Sequence, residues 1–162
     1  MAATAGLAYA AGAMATAALP LFHLYGDPPD DQAFDFIHIE TIAARSTVHD
    51  WTIRAHRHRN LFQILVIEAG GGEMSYETAA VSFASPAVLL VPPRVAHGFR
   101  FTPQTTTGWV VSFTEDVATP LGARTGEALD RLTALAAEPV LPLTGAGEIA
   151  QVSVLGRDLH EE

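Results

Sequence analysis

Between residues 34 and 113 the chain is a series of short β-prone runs, each closed by a turn signal, and that rhythm admits few folds. Residues 34–42 alternate in polarity, and residues 46–53 supply a second run rich in β-branched and aromatic side chains. Residues 62–67 (Phe-Gln-Ile-Leu-Val-Ile) are strongly apolar, as suits a buried wall. Residues 73–76 and 80–83 read as a hairpin, 87–91 as a short apolar strand, and 98–102 with 109–113 as a last pair. The punctuation is Gly26-Asp27-Pro28-Pro29-Asp30-Asp31, a bend over 58–61, Gly70-Gly71-Gly72 and Pro92-Pro93. Strands this short and this regularly interrupted predict an antiparallel sandwich or barrel. The triple glycine is followed by neither Lys-Ser/Thr nor a helix, so it is read as a hairpin turn and not a phosphate loop.

Past Phe113 the period changes. Ala128, Leu129, Leu132 and Leu135 recur at helical spacing until Pro139 stops them, and a second helix is expected from Glu148 onward, with Ile149, Val152, Leu155 and Leu159 along one face. The expected architecture is mainly β: a jelly-roll type antiparallel barrel over 20–115, then a helical segment over 116–162. The apolar stripes of the helices are wide for a small barrel, so a homodimer through this segment is expected.

Composition narrows function. At 162 residues, 49% apolar and 17% charged, the chain suits one globular domain with a substantial core. It has no cysteine, which excludes disulfides, thiolate nucleophiles and cysteine-bound zinc. The net charge is −9, and every basic residue is arginine. Such a domain is a poor DNA binder by itself, because phosphate neutralisation dominates that affinity. The alanine-rich stretch 1–19 is read as a flexible tail. No basic residue precedes Arg45, which speaks against a secretory leader, and the stretch is too weakly apolar and too interrupted to span a membrane. No membrane association and a cytoplasmic location are expected.

The chemistry concentrates in His56-Arg57-His58, Gln63 and His97-Gly98-Phe99. In an extended strand His56 and His58 share a face, and a third histidine from a distant strand can converge on them. Three imidazoles suit a divalent transition metal, so His56, His58 and His97 form a possible metal set, although no cofactor is required by the reading preferred here. The alternative occupant is an organic acid. Arg54 has the strand parity of His56 and His58 and could hold a carboxylate by paired charge-assisted hydrogen bonds, while Arg57 and Arg59 face outward. Gln63 or a neutral histidine could read a phenol hydroxyl. Phe99, Phe101, Trp109 and Phe113 could flank an aromatic ring, with core packing the competing role for Trp109 and Phe113. The face bearing His38 and Glu40 is read as exposed. No nucleophile elbow or catalytic carboxylate pair is visible.

His56-x-His58-x4-Gln63-x6-Gly70 with Pro92-Pro93-Arg94-Val95-Ala96-His97 resembles the two cupin motifs. Residues 20–115 further resemble the N-terminal effector-binding domain of AraC/XylS-family transcription regulators, most of all the PobR-like branch. The stretches that carry this are Pro20-Leu21-Phe22-His23-Leu24-Tyr25-Gly26, Phe36-Ile37-His38-Ile39-Glu40, Ala43-Ala44-Arg45-Ser46, Asp50-Trp51-Thr52-Ile53-Arg54, Gln63-Ile64-Leu65 and Gly108-Trp109-Val110-Val111, beside the histidine motifs. The resemblance implies a non-enzymatic sensing and dimerisation domain of an activator, binding a small aromatic acid such as 4-hydroxybenzoate through Arg54, His56, His58, Gln63, His97, Phe99 and Trp109. DNA would be contacted only through a separate C-terminal helix-turn-helix domain, which is absent from this sequence, as in a truncated regulator. The sequence departs from catalytic cupins at Gln63, where a glutamate is usual, at Arg94, where glycine is expected, and at Phe101, where asparagine often stands. These departures weaken the alternative of a metal-dependent dioxygenase or isomerase. A barrel filled by its own side chains would make the chain a purely structural module.

Overall fold

The computed structural model describes residues 19–22, 37–115, 123–145, 147–148, 150–151, 154 and 157–158. The expectations for the tail at 1–18, the turn cluster at 26–31, the start of the first strand at 34–36, and Ile149, Val152, Leu155 and Leu159 lie outside the described residues.

The strands are β1 (Leu21–Phe22), β2 (Ile37–Thr41), β3 (Thr52–His58), β4 (Leu61–Ala69), β5 (Gly71–Tyr76), β6 (Ala79–Ala84), β7 (Ala87–Val91), β8 (His97–Phe101), β9 (Thr107–Thr114) and β10 (Val140–Pro142); the helices are α1 (Ile42–Ser46) and α2 (Ala123–Leu135). They form two five-stranded sheets, ordered β1-β3-β8-β5-β6 and β10-β7-β4-β9-β2. Strands β2 to β9 thus divide as β2-β9-β4-β7 and β3-β8-β5-β6, the interleaving that defines a jelly roll. All pairings are antiparallel except the short β1–β3 edge.

Alternation decides what lies between the sheets. On β9, Gly108, Val110, Ser112 and Thr114 are buried while Trp109, Val111 and Phe113 are half-buried on the other face. Register places Gln63 opposite Ser112 and Leu65 opposite Val110, so the same inner face continues across β4. From the facing sheet come Met74, Phe99 and Phe101, with Leu89 and Val91 from β7. Removing this apolar surface from water, at about 25 cal/mol per Å², is the main term holding the sheets together.

Three local expectations are corrected. Strands β8 and β9 are not a pair but lie in different sheets. Residues 46–53 are not one strand. Thr41 caps a helix by accepting the Ala44 N–H at 3.0 Å, Ala43 and Ala44 favour that helix, and a 3-10 turn at Thr47–His49 follows. Asp50 and Trp51 then both take left-handed backbone (φ 50° and 58°) to turn the chain into β3. The triple glycine is not a hairpin turn: β4 and β5 lie in different sheets, Gly70 (φ 75°) makes the crossing between them, and Gly71 and Gly72 are strand residues of β5.

Gly108 has the strictest backbone requirement. Its φ is 146°, and a Cβ there would lie 1.8 Å from the Val66 carbonyl oxygen, inside the β4–β9 ladder. Gly108→Ala is expected to cost about 3 kcal/mol, the upper end of the range for strained backbone and overpacking combined. Urea unfolding should show this as a lower midpoint at unchanged slope.

Among the described residues after β9, α2 comes first, and its Leu135 is 51% exposed. The Tyr76 hydroxyl donates to the Ala136 carbonyl at 2.8 Å and ties the helix end to β5. Past Pro139 the chain returns to the barrel as β10, paired with β7, which the sequence pattern did not announce. The described residues between 147 and 158 are helical, in keeping with the expected second helix. Among the described residues no helix is long and apolar enough to cross a membrane.

Candidate metal and ligand site

His56 and His58 extend inward from the end of β3, and His97 starts β8 directly opposite His56 in the ladder. The loop bringing His97 there is pinned: the Arg94 N–H donates to the His58 carbonyl at 2.8 Å, and the Glu77 N–H donates to the Ala96 carbonyl at 2.7 Å. Arg94, standing where a glycine is expected, adopts φ 68°, and its guanidinium donates to the Arg59 carbonyl and to both Glu115 carboxylate oxygens, all at 3.3 Å.

All three imidazoles are 1% exposed, and one ring nitrogen from each lies within 4.8 Å of the others. Nδ1 of His56 stands 2.8 Å from the Arg54 carbonyl and Nδ1 of His97 2.9 Å from the Val95 carbonyl. A carbonyl can only accept, so both Nδ1 atoms carry the proton and both Nε2 atoms offer a lone pair in the neutral rings. Nε2 of His56 is 3.2 Å from Nε2 of His58, and Nε2 of His97 is buried without a hydrogen-bond partner. Burial is the main cause that pushes the His56 pKa down to about 4; the Arg54 carbonyl opposes it and His58 adds to it. His97 is held well below the usual histidine range, again first by burial and then by His56 and His58.

This donor set fits a divalent transition metal. Two nitrogens bound at about 2.0–2.1 Å to one ion stand roughly 3 Å apart, which the 3.2 Å separation of His56 and His58 matches. The Nδ1–H to carbonyl bonds are the usual means of fixing the tautomer and orientation of ligating histidines. An ion held by all three would also satisfy the orphaned Nε2 of His97. His56, His58 and His97 would hold it, and it would supply a Lewis-acidic centre for an oxygen ligand.

The cluster adjoins a cavity lined by Glu40, Arg45, Ser46, Ile53, His56, Gln63, Leu65, Phe99, Phe101 and Val110. Its volume is about 30 Å³, room for a water or two at roughly 10–15 Å³ each and far below that of an aromatic ring. Gln63 donates from Nε2 to the Ser112 hydroxyl at 3.1 Å, which leaves its Oε1 and its second Nε2–H to offer. Phe99 and Phe101 stack at 5.5 Å with an interplanar angle of 16°.

Three placements differ from the sequence pattern. Arg54 is exposed, because the β3–β8 register slips between Ile53 and His56: Ile53 takes the inner position and Arg54 and Ala55 both face out. Trp109 and Phe113 lie on the outer face of β9, where the Trp109 indole N–H donates to Glu68 at 3.3 Å and Phe113 stacks on Phe62. His38 and Glu40 face inward, in register with Ser112 and Val110, while Ile37 is 60% exposed. Arg45 is the residue the sequence pattern missed. Its Nε donates to both Glu40 carboxylate oxygens, at 2.9 and 3.1 Å, and among the described residues it is the arginine that lines the cavity. Arg57 and Arg59 are exposed, as expected.

Jelly-roll strand order with inward histidines at the start of β8 and the end of β3 is a cupin arrangement. The fold is cupin-like.

No protein-family model and no curated protein matches the chain. Among solved structures, a cupin protein from Bacteroides fragilis aligns at 14% identity and a TM-score of 0.38, over 49% of this chain. The alignment spans 64% of that protein's length. A likeness this loose leaves the fold assignment resting on the strand order itself.

Proposed function

We propose that this chain is a non-enzymatic sensing domain of a transcription activator, binding a small aromatic or phenolic acid such as 4-hydroxybenzoate inside the barrel, with a divalent metal held by His56, His58 and His97. The observation that carries the reading is the graded lining of one cavity. Strand register sets His56 and Gln63 toward one end, Phe99, Leu65 and Val110 in the middle, and α1 with Arg45 toward the other. A mostly apolar pocket with a few polar anchors is what a small amphiphilic anion needs, and an aromatic acid enters this void of about 30 Å³ only with displacement of a wall. The acidic barrel leaves DNA contact to a separate domain, and ligand-linked rearrangement against the C-terminal helices, which also form a homodimer, is the regulatory output in a cytoplasmic protein.

Metal analysis of the purified protein, with a thermal-shift panel of hydroxybenzoates on metal-loaded and metal-free samples, tests it. A ligand at 100 times its Kd should add about 2.7 kcal/mol of stability. Flat melting curves across the panel with metal bound would remove the sensing reading.

One observation favours a second reading. Three neutral imidazoles without a charged ligand leave open positions on a bound metal, as a metal-dependent dioxygenase or isomerase requires. Turnover of a panel acid by the metal-loaded protein would select it.

A further inference from the structure

The cavity has a cation end, and that cation is already occupied. Arg45 is 24% exposed and Glu40 17% exposed, and the carboxylate of Glu40 receives the Arg45 Nε–H through both oxygens. Both residues line the same cavity as His56 and Gln63. Glu40 projects from the inner face of β2, and Arg45 sits on α1, the next element of the chain. A carboxylate entering the barrel meets an arginine whose partner is chemically the same group as itself.

We propose that Glu40 is a built-in stand-in for the ligand: the carboxylate of an aromatic acid takes its place on Arg45, and Arg45 thereby sets the preference for anions over neutral analogues. The proposal rests on the sensing function above and names the residue that reads the charge. A void of about 30 Å³ cannot take a ring unless a wall moves. The wall carrying Arg45 has the means. Directly after α1 and its 3-10 turn, Asp50 and Trp51 hold two consecutive left-handed conformations, costly for a bulky side chain and a common mark of segments that switch. Releasing Glu40 from Arg45 removes one side-chain tie on that wall, while the Thr41 cap on the Ala44 N–H still joins α1 to β2. The exchange puts the ligand carboxylate on the guanidinium and releases the Glu40 carboxylate, which must turn out to solvent, already reached by 17% of its side chain, for the pocket to gain no uncompensated charge.

The test is calorimetric titration of the metal-loaded protein with 4-hydroxybenzoate and with 4-hydroxybenzamide, its neutral counterpart. Arg45→Gln is expected to weaken the acid about tenfold or more, the scale of a charged hydrogen bond, and to leave the amide within about twofold. Glu40→Gln is expected to act oppositely, tightening the acid about tenfold by removing its internal competitor. Arg45→Lys should restore part of the acid affinity. Thermal melts of each variant report folding, and the double variant Arg45→Gln/Glu40→Gln keeps the site free of an unpaired charge should Arg45→Gln alone unfold. Equal acid affinity in wild type and the Arg45 variants, or weaker acid binding by Glu40→Gln, would overturn the proposal while leaving the sensing function standing. If wild type binds neither compound, both fall together.

Discussion

His97→Leu is expected to abolish stoichiometric binding of Zn²⁺ or Fe²⁺ while leaving a folded protein. One ligand of a structural metal site carries about 3 kcal/mol, so its loss should raise the metal Kd by about two orders of magnitude or more. Leucine is the informative replacement because of what His97 does without metal. Its Nε2 is buried and unbonded, a group that stabilises nothing and costs on the order of 1–3 kcal/mol of desolvation. An aliphatic side chain of similar volume removes that cost but also loses the Nδ1–H bond to the Val95 carbonyl, worth about 1 kcal/mol, so the variant should roughly match the unfolding midpoint of metal-free wild type. Metal content by elemental analysis and urea unfolding in the presence of chelator give the two readouts. Loss of metal with stability retained is the signature of a residue kept for binding. Retention of full metal content would show that the three histidines are not the ligand set.

The second large effect is acid sensitivity of the metal-free protein. Histidine in the unfolded chain takes a proton near pH 6.5, whereas buried His56 does so only near 4. Between those values the unfolded state binds more protons, so stability is fully present above about pH 6.5 and is lost as pH falls toward 4. For His56 alone the loss amounts to about 3 kcal/mol. His97, shifted in the same direction, adds to it. Urea midpoints measured from pH 7 down to 4.5 should fall steeply in wild type, and the His56→Leu/His97→Leu variant should be much flatter. Parallel curves would assign the acid loss to groups outside the cluster. Saturating metal should shift the fall to lower pH, since protons and metal compete for the same lone pairs.

The sequence was a good guide where local chemistry sets the outcome. Strands β4, β7, β8 and β9 and helix α2 lie where periodicity and punctuation predict them, and the convergence of His56, His58 and His97 follows from the resemblance and the strand period. It failed where parity depends on a partner. The register slip at β3 inserts one residue between Ile53 and His56, and nothing in Arg54-Ala55 marks it; counting by two across a bulge puts Arg54 inside when it is outside. On β9 the usual preference for large apolar residues inside is inverted. Gly108 and Ser112 face the interior because Phe99 and Phe101 of the opposite sheet fill it, and Trp109 is left to the outer face. Arg45 was missed because α1 is five residues long, too short for a helical period to show, and the strand pattern running on from residue 46 obscured its end.

Strand β10 has a mechanical consequence. Glu40 rides on β2, one margin of the sheet β10-β7-β4-β9-β2, and the chain leaving α2 is stitched into the other margin. Four inter-strand steps of about 4.8 Å separate these margins, roughly 19 Å across. Main-chain hydrogen bonds are therefore continuous from β2 to the strand that follows α2, with no relay of side chains between them. Were an exchange at Glu40 to alter β2, the twist of this sheet is the quantity that would carry the change from one rim to the chain bolted along the other.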